Sequence, residues 1–435
     1  MATNNGINNK ARQLTILPTT TSAGNAGELR LRELAANGTN YTGFKAPDSL
    51  SSDIPYTLPS SYPASNGQVL SSTTAGVMSW VSQSSGGSAI GNNVIINPEM
   101  VFAQRGTSFA SLTSANTYTL DRWVYSKTGT MVYTASQETD VPTVAAASYL
   151  FRNSYKLIVT TAQTSIGSGD SNALVQRVEG YNWATIAQRA VTLSFWVKAS
   201  LTGTYCVSLV NSGTDRSYVA EYTINSANTW EQKTITISAS PSAGTWNYTN
   251  GIGIYLYFTL SVGSTFQTTA NAWQTGAFYG TSNQVNHAAT LNNTFFLTGV
   301  KLESGSSATA YIGRDFTTET ELCQRYYQKT FNLTTTPASN TEVGLRASGM
   351  ATVATGTPSV LGEFALTTMM RSTPTITTYN PFAAGNQIAA SATIIGTSTA
   401  LFTASPTRLS FTFTVPSGAG VGTSFGVHFT ADSEL

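Results

Sequence analysis

Apolar and polar positions alternate along most of this chain, in short runs separated by turn residues. In VTLSFWVKA, Val191, Leu193, Phe195 and Val197 fall on one face, with Thr192, Ser194, Trp196 and Lys198 on the other. A period of two marks a strand. IYLYFTL gathers Ile254, Leu256, Phe258 and Leu260 and sets Tyr255, Tyr257 and Thr259 opposite. That second face is too aromatic to be left simply wet, so it is expected to meet a ligand or another subunit. KTITIS and NTFFLTGVKLE add further strands. With no strong helical period from Val94 to Phe316, these runs predict a jelly-roll β-sandwich over 94–316. PTITTY, RLSFTFTV and GVHFT return to alternation, with Leu409, Phe411 and Phe413 on one face. Residues 330–435 are the right length for a small distal β-sandwich.

Residues 1–81 differ. GELRLRELAANGTNYTGFKAPDSL reads as short strands broken by Asn-Gly and Ala-Pro turns, with Leu29 and Leu31 alternating against Glu28, Arg30 and Arg32. Large apolar residues are too few here to bury a core. The segment is either a loose tail or a set of strands that becomes stable when chains intertwine or dock on a partner. SQSSGGSAIGNN, residues 82–93, reads as a flexible Ser/Gly linker.

Charge is concentrated in one place. Lys301, Glu303, Arg314, Asp315, Glu319, Glu321, Arg325 and Lys329 crowd one short segment of a chain that is 10% charged. Thr318 followed by Glu321 fits a capping box. Leu322 with Tyr326, and Cys323 with Tyr327, lie four apart, and Glu321 precedes Arg325 in the favourable i,i+4 order. A helix of about a dozen residues is marginal alone, so 317–329 is predicted to be a helical hinge packed between two β domains. Tyr326 and Tyr327 should be packed, Arg325 paired, and Cys323 a small buried hydrophobe. The predicted fold class is all-β, with a β-rich attachment segment, central jelly roll, short helical hinge and C-terminal sandwich.

The totals narrow the function. The 435 residues suit two or three domains. Lys plus Arg number 22 and Asp plus Glu 21, a net charge of +1, so no basic field is present to hold nucleic acid. No run reaches the length of a membrane span, and the start lacks signal-peptide order, which predicts synthesis in the cytoplasm without a leader. Cys206 and Cys323 have no metal-ligand spacing, so no metal site, cofactor or disulfide framework is expected. His287 and His428 are flanked by no nucleophile elbow, phosphate loop or metal motif, and His428 reads as structural. Asp140, Glu179, Asp215, Glu221 and Glu231 are scattered and read as solvated or paired, not as two carboxylates facing across a groove. No enzymatic activity is expected.

Binding without formal charge is better provided for. Aromatic rings stack on sugar faces while amides and hydroxyls bond the sugar hydroxyls. EGYNWATIAQ offers Tyr181 and Trp183; GTWNYTNG offers Trp246 and Tyr248; NAWQTGAFYGTSNQVN offers Trp273 and Tyr279. NPFAAGNQ offers Asn380 and Phe382 at a predicted distal tip. Local core packing is the competing explanation for each aromatic.

Several blocks occur in a telling order: GELRLRELAANGTNYTGFKAPDSL with YTLP, NGQVL and MSW; NPEMVFAQRGTSF with YTLDRW, LSFWVKA and LTGVKLESGSSATAY; ELCQRYYQK; and MRSTPTITTYNP with VHFTADSEL. Together they resemble bacteriophage tail-fibre and tail-tip proteins across nearly the whole length. The resemblance implies a virion-proximal N-terminus that attaches to other tail or virion proteins, a carbohydrate-binding-module-like jelly roll and a distal domain. It also implies a homotrimer located in the virion and adsorption to host polysaccharide or lipopolysaccharide. Such modules would offer Glu99 and Glu303 to a structural calcium ion, although Glu99 stands where many relatives have a Gly-Asp pair. Two rival readings stay open: a structural adaptor or spacer of the virion, and a polysaccharide depolymerase.

Overall fold

The computed structural model describes residues 16–18, 20–23, 25–63, 68–82, 93–342, 345–350, 356–391, 393–398, 400–419 and 421–435. The chain divides into two compact units, Met1–Gly87 and Ser88–Leu435. The expected Ser/Gly linker lies almost wholly at 83–92, outside the described residues.

The first unit consists of two hairpins, Glu28–Arg32 with Tyr41–Lys45 and Gln68–Ser72 with Met78–Ser82. In the first hairpin Leu29 pairs with Phe44 and Leu31 with Thr42, so these side chains share one face. The other face carries Arg30, which bonds Glu28 at 2.7 Å and lies over the Tyr41 ring at 4.3 Å. No described side chain of this unit is buried, and Phe44 and Tyr62 are 77% and 94% exposed. An isolated two-stranded hairpin is marginal in water. The predicted shortage of core is therefore real.

The second unit opens with the jelly roll. One antiparallel sheet runs, in spatial order, Trp273–Thr275, Arg216–Ile224, Gly203–Asn211, Ile252–Val262, Ser171–Glu179, Trp123–Lys127 and Thr117–Tyr118. The facing sheet runs Glu231–Ile237, Val191–Ala199, Thr294–Ser304, Ser154–Thr161, Val132–Glu138 and Ser108–Leu112. Leu193, Phe195, Val197, Ile254, Leu256 and Phe258 meet in the shared core, as the alternation requires. Val191–Ala199 is buried on both faces, because Phe151 and neighbouring chain cover the outer one near Trp196. Gly299 forms the bulge beneath this cover at φ 61°, and a Cβ there would stand 2.6 Å from the Phe151 ring.

The C-terminal sandwich is organised around one strand, Ser424–Asp432. It pairs with Tyr327–Lys329, Arg346–Met350, Thr375–Tyr379 and Gln387–Ala389. A three-stranded sheet of Pro358–Ala365, Arg408–Thr414 and Ala400–Ala404 lies against it. Leu409, Phe411 and Phe413 pack with Phe425, Val427 and Phe429. His428 is fully buried, stacked on Phe331 at 4.0 Å and bonded to the Thr330 hydroxyl at 2.8 Å, the structural role expected of it.

The charged segment joins the two sandwiches. Its helix is shorter than predicted, Phe316–Gln324, and Tyr327–Lys329 is a strand. Asp315, not Thr318, is the N-cap, and its carboxylate accepts the Thr318 N–H at 2.9 Å. With Asp315 three residues upstream, the helix starts earlier, and Thr318, whose capping box would have served the Glu321 N–H, lies inside its first turn. Arg325 does not pair with Glu321. It forms a two-point bridge to Glu179, Nε at 2.8 Å and Nη2 at 2.6 Å, to which the buried Tyr326 hydroxyl also donates. Cys323 and Tyr326 pack with Ile96 and Phe102 in a small core of their own.

Around it lies a seam of buried charge. Arg122 bonds Glu434 and the Arg177 carbonyl, with its guanidinium 3.5 Å from the Tyr326 ring centre. Arg105 reaches Asp432 at 2.9 Å and Glu434 at 3.4 Å and lies over Tyr327 at 3.8 Å. Arg371 donates to the carbonyls of Ser433 and Glu434. The Lys329 ammonium is caged by the carbonyls of Gln104, Leu333 and Thr335 at 2.7, 2.9 and 2.7 Å.

Two outcomes follow from this packing. Tyr326→Ala removes a fully buried ring and the hydroxyl bonded to Glu179, so it should cost about 3–5 kcal/mol in urea denaturation; an unchanged midpoint would mean the joint contributes no stability. His287 is buried among Tyr133, Tyr205 and Phe295, with Nδ1 3.0 Å from the Tyr133 hydroxyl. Burial lowers its pKa to about 4, against a smaller opposing hydrogen bond at Thr294. With the folded pKa below the unfolded one, this stability is complete above about pH 6.5 and is lost as pH falls toward 4. The loss reaches at most about 3 kcal/mol. A His287→Gln variant should flatten this part of the stability–pH curve, and parallel curves would refute the assignment.

Candidate functional site

The Ile252–Val262 strand decides where a ligand can lie. Its inward residues enter the core, so the pleat drives Tyr255 and Tyr257 onto the outer face of the seven-stranded sheet. Val124, Ala173 and Val175 line the same face from neighbouring strands, with Tyr118 at its edge. Tyr257 lies 5.9 Å from Tyr255 and 4.7 Å from Tyr279, which in turn lies 4.8 Å from Phe266. Tyr118, Tyr255, Tyr257, Tyr279 and Phe266 are all partly exposed. A row of rings thus crosses the sheet, and beside Tyr257 and Tyr279 it dips into a cavity of about 110 Å³ bordered by Ser126, Asn172 and Thr259.

Loop 263–286 closes the rest of this face. Ser208 and Thr259 donate to the carbonyls of Phe278 and Tyr279, both at 2.6 Å, and Thr281 bonds Glu221 at 2.5 Å. At the opposite end Arg177 lies 5.5 Å from Tyr118 and 5.9 Å from Tyr255, but its guanidinium is engaged by the Leu435 oxygen. The Tyr118 hydroxyl donates to that oxygen at 2.7 Å. The face presents rings and hydroxyls, and the two cations beside Tyr118, Arg177 and Arg105, are both engaged.

The residues predicted to bind divide sharply. Tyr279 belongs to the ring row. Tyr181 is 56% exposed on the short helix Gly180–Ala184, and Tyr248 is exposed on the loop whose Thr249 carbonyl accepts the Tyr181 N–H at 2.8 Å. The tryptophans are spent on packing. Trp183 is buried at the core's end and stacks on Trp246 at 6.0 Å, which meets Trp273 edge-on at 5.8 Å. The indole N–H groups of Trp246 and Trp273 donate to the carbonyls of Ala243 and Ser238, each at 3.0 Å. Trp183 is therefore corrected from a ligand contact to a core residue. Asn380 is also corrected: it is fully buried, and its side-chain oxygen accepts the N–H groups of Phe382 and Ala383 at 2.9 and 3.1 Å. It shapes the loop that carries the partly buried Phe382.

Sequence reasoning had marked Tyr255 and Tyr257 as an unusual face but left them, Tyr118 and Phe266 out of the binding candidates. Period-two alternation reveals such a face; only the fold shows which neighbours join it. The scattered acids are paired as expected: Asp140 with Lys198, Glu231 with Lys233, and Asp215 with Asn211 and Thr245. Glu99 and Glu303 do not share partners. Glu303 is held by Lys301 at 3.1 Å and by Thr309, whereas Glu99 accepts from Tyr149 and Tyr311. Among the described residues, no three His, Cys, Asp or Glu side chains gather as a metal site.

No family description and no curated protein matches this sequence. Among solved structures it is similar to the enzymatically active domain of tailspike protein 4 from bacteriophage CBA120. That match has 14% identity and a TM-score of 0.26 over 49% of this chain and 21% of the other, so this chain spans about a fifth of it. It is also similar to the carbohydrate-binding module TmCBM61 in complex with β-1,4-galactotriose, at 11% identity and a TM-score of 0.24 over 49% of this chain and 99% of that one. A family 11 carbohydrate-binding module of Clostridium thermocellum, in complex with a mixed-linked tetrasaccharide, matches at 10% identity and a TM-score of 0.25 over 47% and 99%.

The two classes of aromatic should separate in denaturation experiments. Trp183→Ala should cost about 3–5 kcal/mol, and Tyr181→Ala, an exposed ring, within about 0.5 kcal/mol. Equal losses would show that the exposed loop also serves packing.

Proposed function

We propose that this protein is a receptor-binding protein of the phage tail-fibre type, which adsorbs to host surface glycan through the tyrosine row of its jelly roll. The observation that carries the reading is that row: partly exposed rings, about 5–6 Å apart, over a shallow cavity. Rings at this spacing suit successive faces of an extended sugar chain, and the surrounding hydroxyls and amides suit its polar edge. The first unit, with open apolar faces, supplies attachment to the virion and association into a homotrimer. Three chains then multiply weak contacts into avidity. The reading assigns binding and no cleavage.

A host polysaccharide panel tests this with the full chain. Tyr257→Ala should weaken binding by up to about tenfold, the value of one aromatic contact of about 0.5–1.5 kcal/mol. Affinity should change by no more than about twofold between low and moderate salt, since the row offers rings and hydroxyls and the cations beside Tyr118, Arg105 and Arg177, are engaged. The sedimentation mass should be three times the 46.0 kDa of the chain. Binding unaffected by Tyr257→Ala would favour the spacer reading, and release of reducing ends would favour a depolymerase.

A further inference from the structure

A second cavity, of about 170 Å³, lies away from the tyrosine row, where the start of the jelly roll meets the Phe316–Gln324 helix. Its frame is rigid. Glu319 accepts the Asn97 N–H at 2.5 Å and pairs with Arg314 at 2.8 Å, and Arg314 also donates to the carbonyls of Ile95 and Asn93. Both carboxylate oxygens of Glu319 and the guanidinium of Arg314 are thereby spent.

Two other polar groups in the lining are not. Glu99 accepts the Tyr149 and Tyr311 hydroxyls at 2.8 and 3.2 Å, both on Oε1, which leaves Oε2 without a hydrogen bond among the described residues. Arg152 is exposed and forms neither ion pair nor hydrogen bond among them. At the rim, Phe316 is 56% exposed yet held by Phe102, ring to ring at 5.1 Å. Fixed exposed aromatics beside unspent polar groups mark ligand sites more often than bare surface.

We infer that this cavity binds a single neutral sugar residue, with hydroxyls bridging Glu99 Oε2 and Arg152 and an apolar face against Phe316. Its volume is below the roughly 300–1,000 Å³ of pockets for drug-sized ligands, which limits it to one ring and excludes a chain. Burial holds the Glu99 carboxyl above the usual range, against the pull of its two tyrosine hydroxyls. Either form serves: the carboxylate accepts from a sugar hydroxyl, and the acid donates to one. Gly313 keeps the wall close, since a Cβ there would stand 2.4 Å from Glu99 Oε1 and 2.1 Å from the Tyr149 hydroxyl.

The site extends the glycan reading to a second place on the molecule, and the two fail separately. Saturation-transfer NMR on the full chain with D-glucose, D-galactose, N-acetyl-D-glucosamine and L-rhamnose should show transfer to at least one of them. Measured in a Tyr257→Ala background, which removes the contribution of the tyrosine row, Arg152→Ala and Phe316→Ala, both at exposed positions, should each weaken the remaining binding at least about fivefold. Transfer to none of the four sugars in that background, or transfer kept in both rim variants, overturns the site. Polysaccharide binding that depends on Tyr257 would survive either result.

Discussion

The buried pair between Arg122 and Glu434 is the constraint on which the second unit turns. A guanidinium without its carboxylate, buried at this depth, costs several kcal/mol, and removing one partner of such a pair is far worse than never having built it. Arg122 belongs to the jelly roll, and Glu434 follows the strand around which the C-terminal sandwich is built. Neither domain can satisfy its own charge. Arg105 repeats the arrangement with Asp432, and Arg371 and Lys329 each reach a jelly-roll carbonyl, at Asn250 and Gln104, so charge, not apolar area alone, sets the docking register of the two sandwiches.

The aromatic residues show a related division of labour. The tryptophans close the end of the jelly-roll core, where their area is worth most, and the N–H groups of Trp246 and Trp273 find carbonyls. The tyrosines of the outer face are shallower and stay partly exposed. Trp183 and Tyr257 come from equally aromatic stretches, and only depth separates their roles.

Much of this was legible in the chain. Alternation in VTLSFWVKA, IYLYFTL and RLSFTFTV assigned faces that the two cores respect, and the lack of large apolar residues before residue 82 foretold the exposed hairpins. The partners of charges were not legible. Arg325 passes over Glu321, four residues away, for Glu179, because a buried two-point bridge outweighs the few tenths of a kcal/mol of an exposed helical pair. Nor could the order of polar and aromatic residues around Trp183 reveal its burial, since a binding loop and a core plug share that composition. The cap at Asp315 was missed for a local reason: two candidates lay three residues apart, and the capping-box pattern favoured the wrong one.

The position of Ser424–Asp432 in the chain has a consequence for the order of folding. This strand is the spine of the C-terminal sandwich, yet each of its partners precedes it, some by roughly a hundred residues. Pairings at such separation pay for loop closure before they return any contact energy, and they form late. A nascent chain therefore completes the jelly roll with Arg105 and Arg122 still waiting for Asp432 and Glu434. Until the spine arrives, that pocket of positive charge is open to any carboxylate nearby, including one on another unfinished copy.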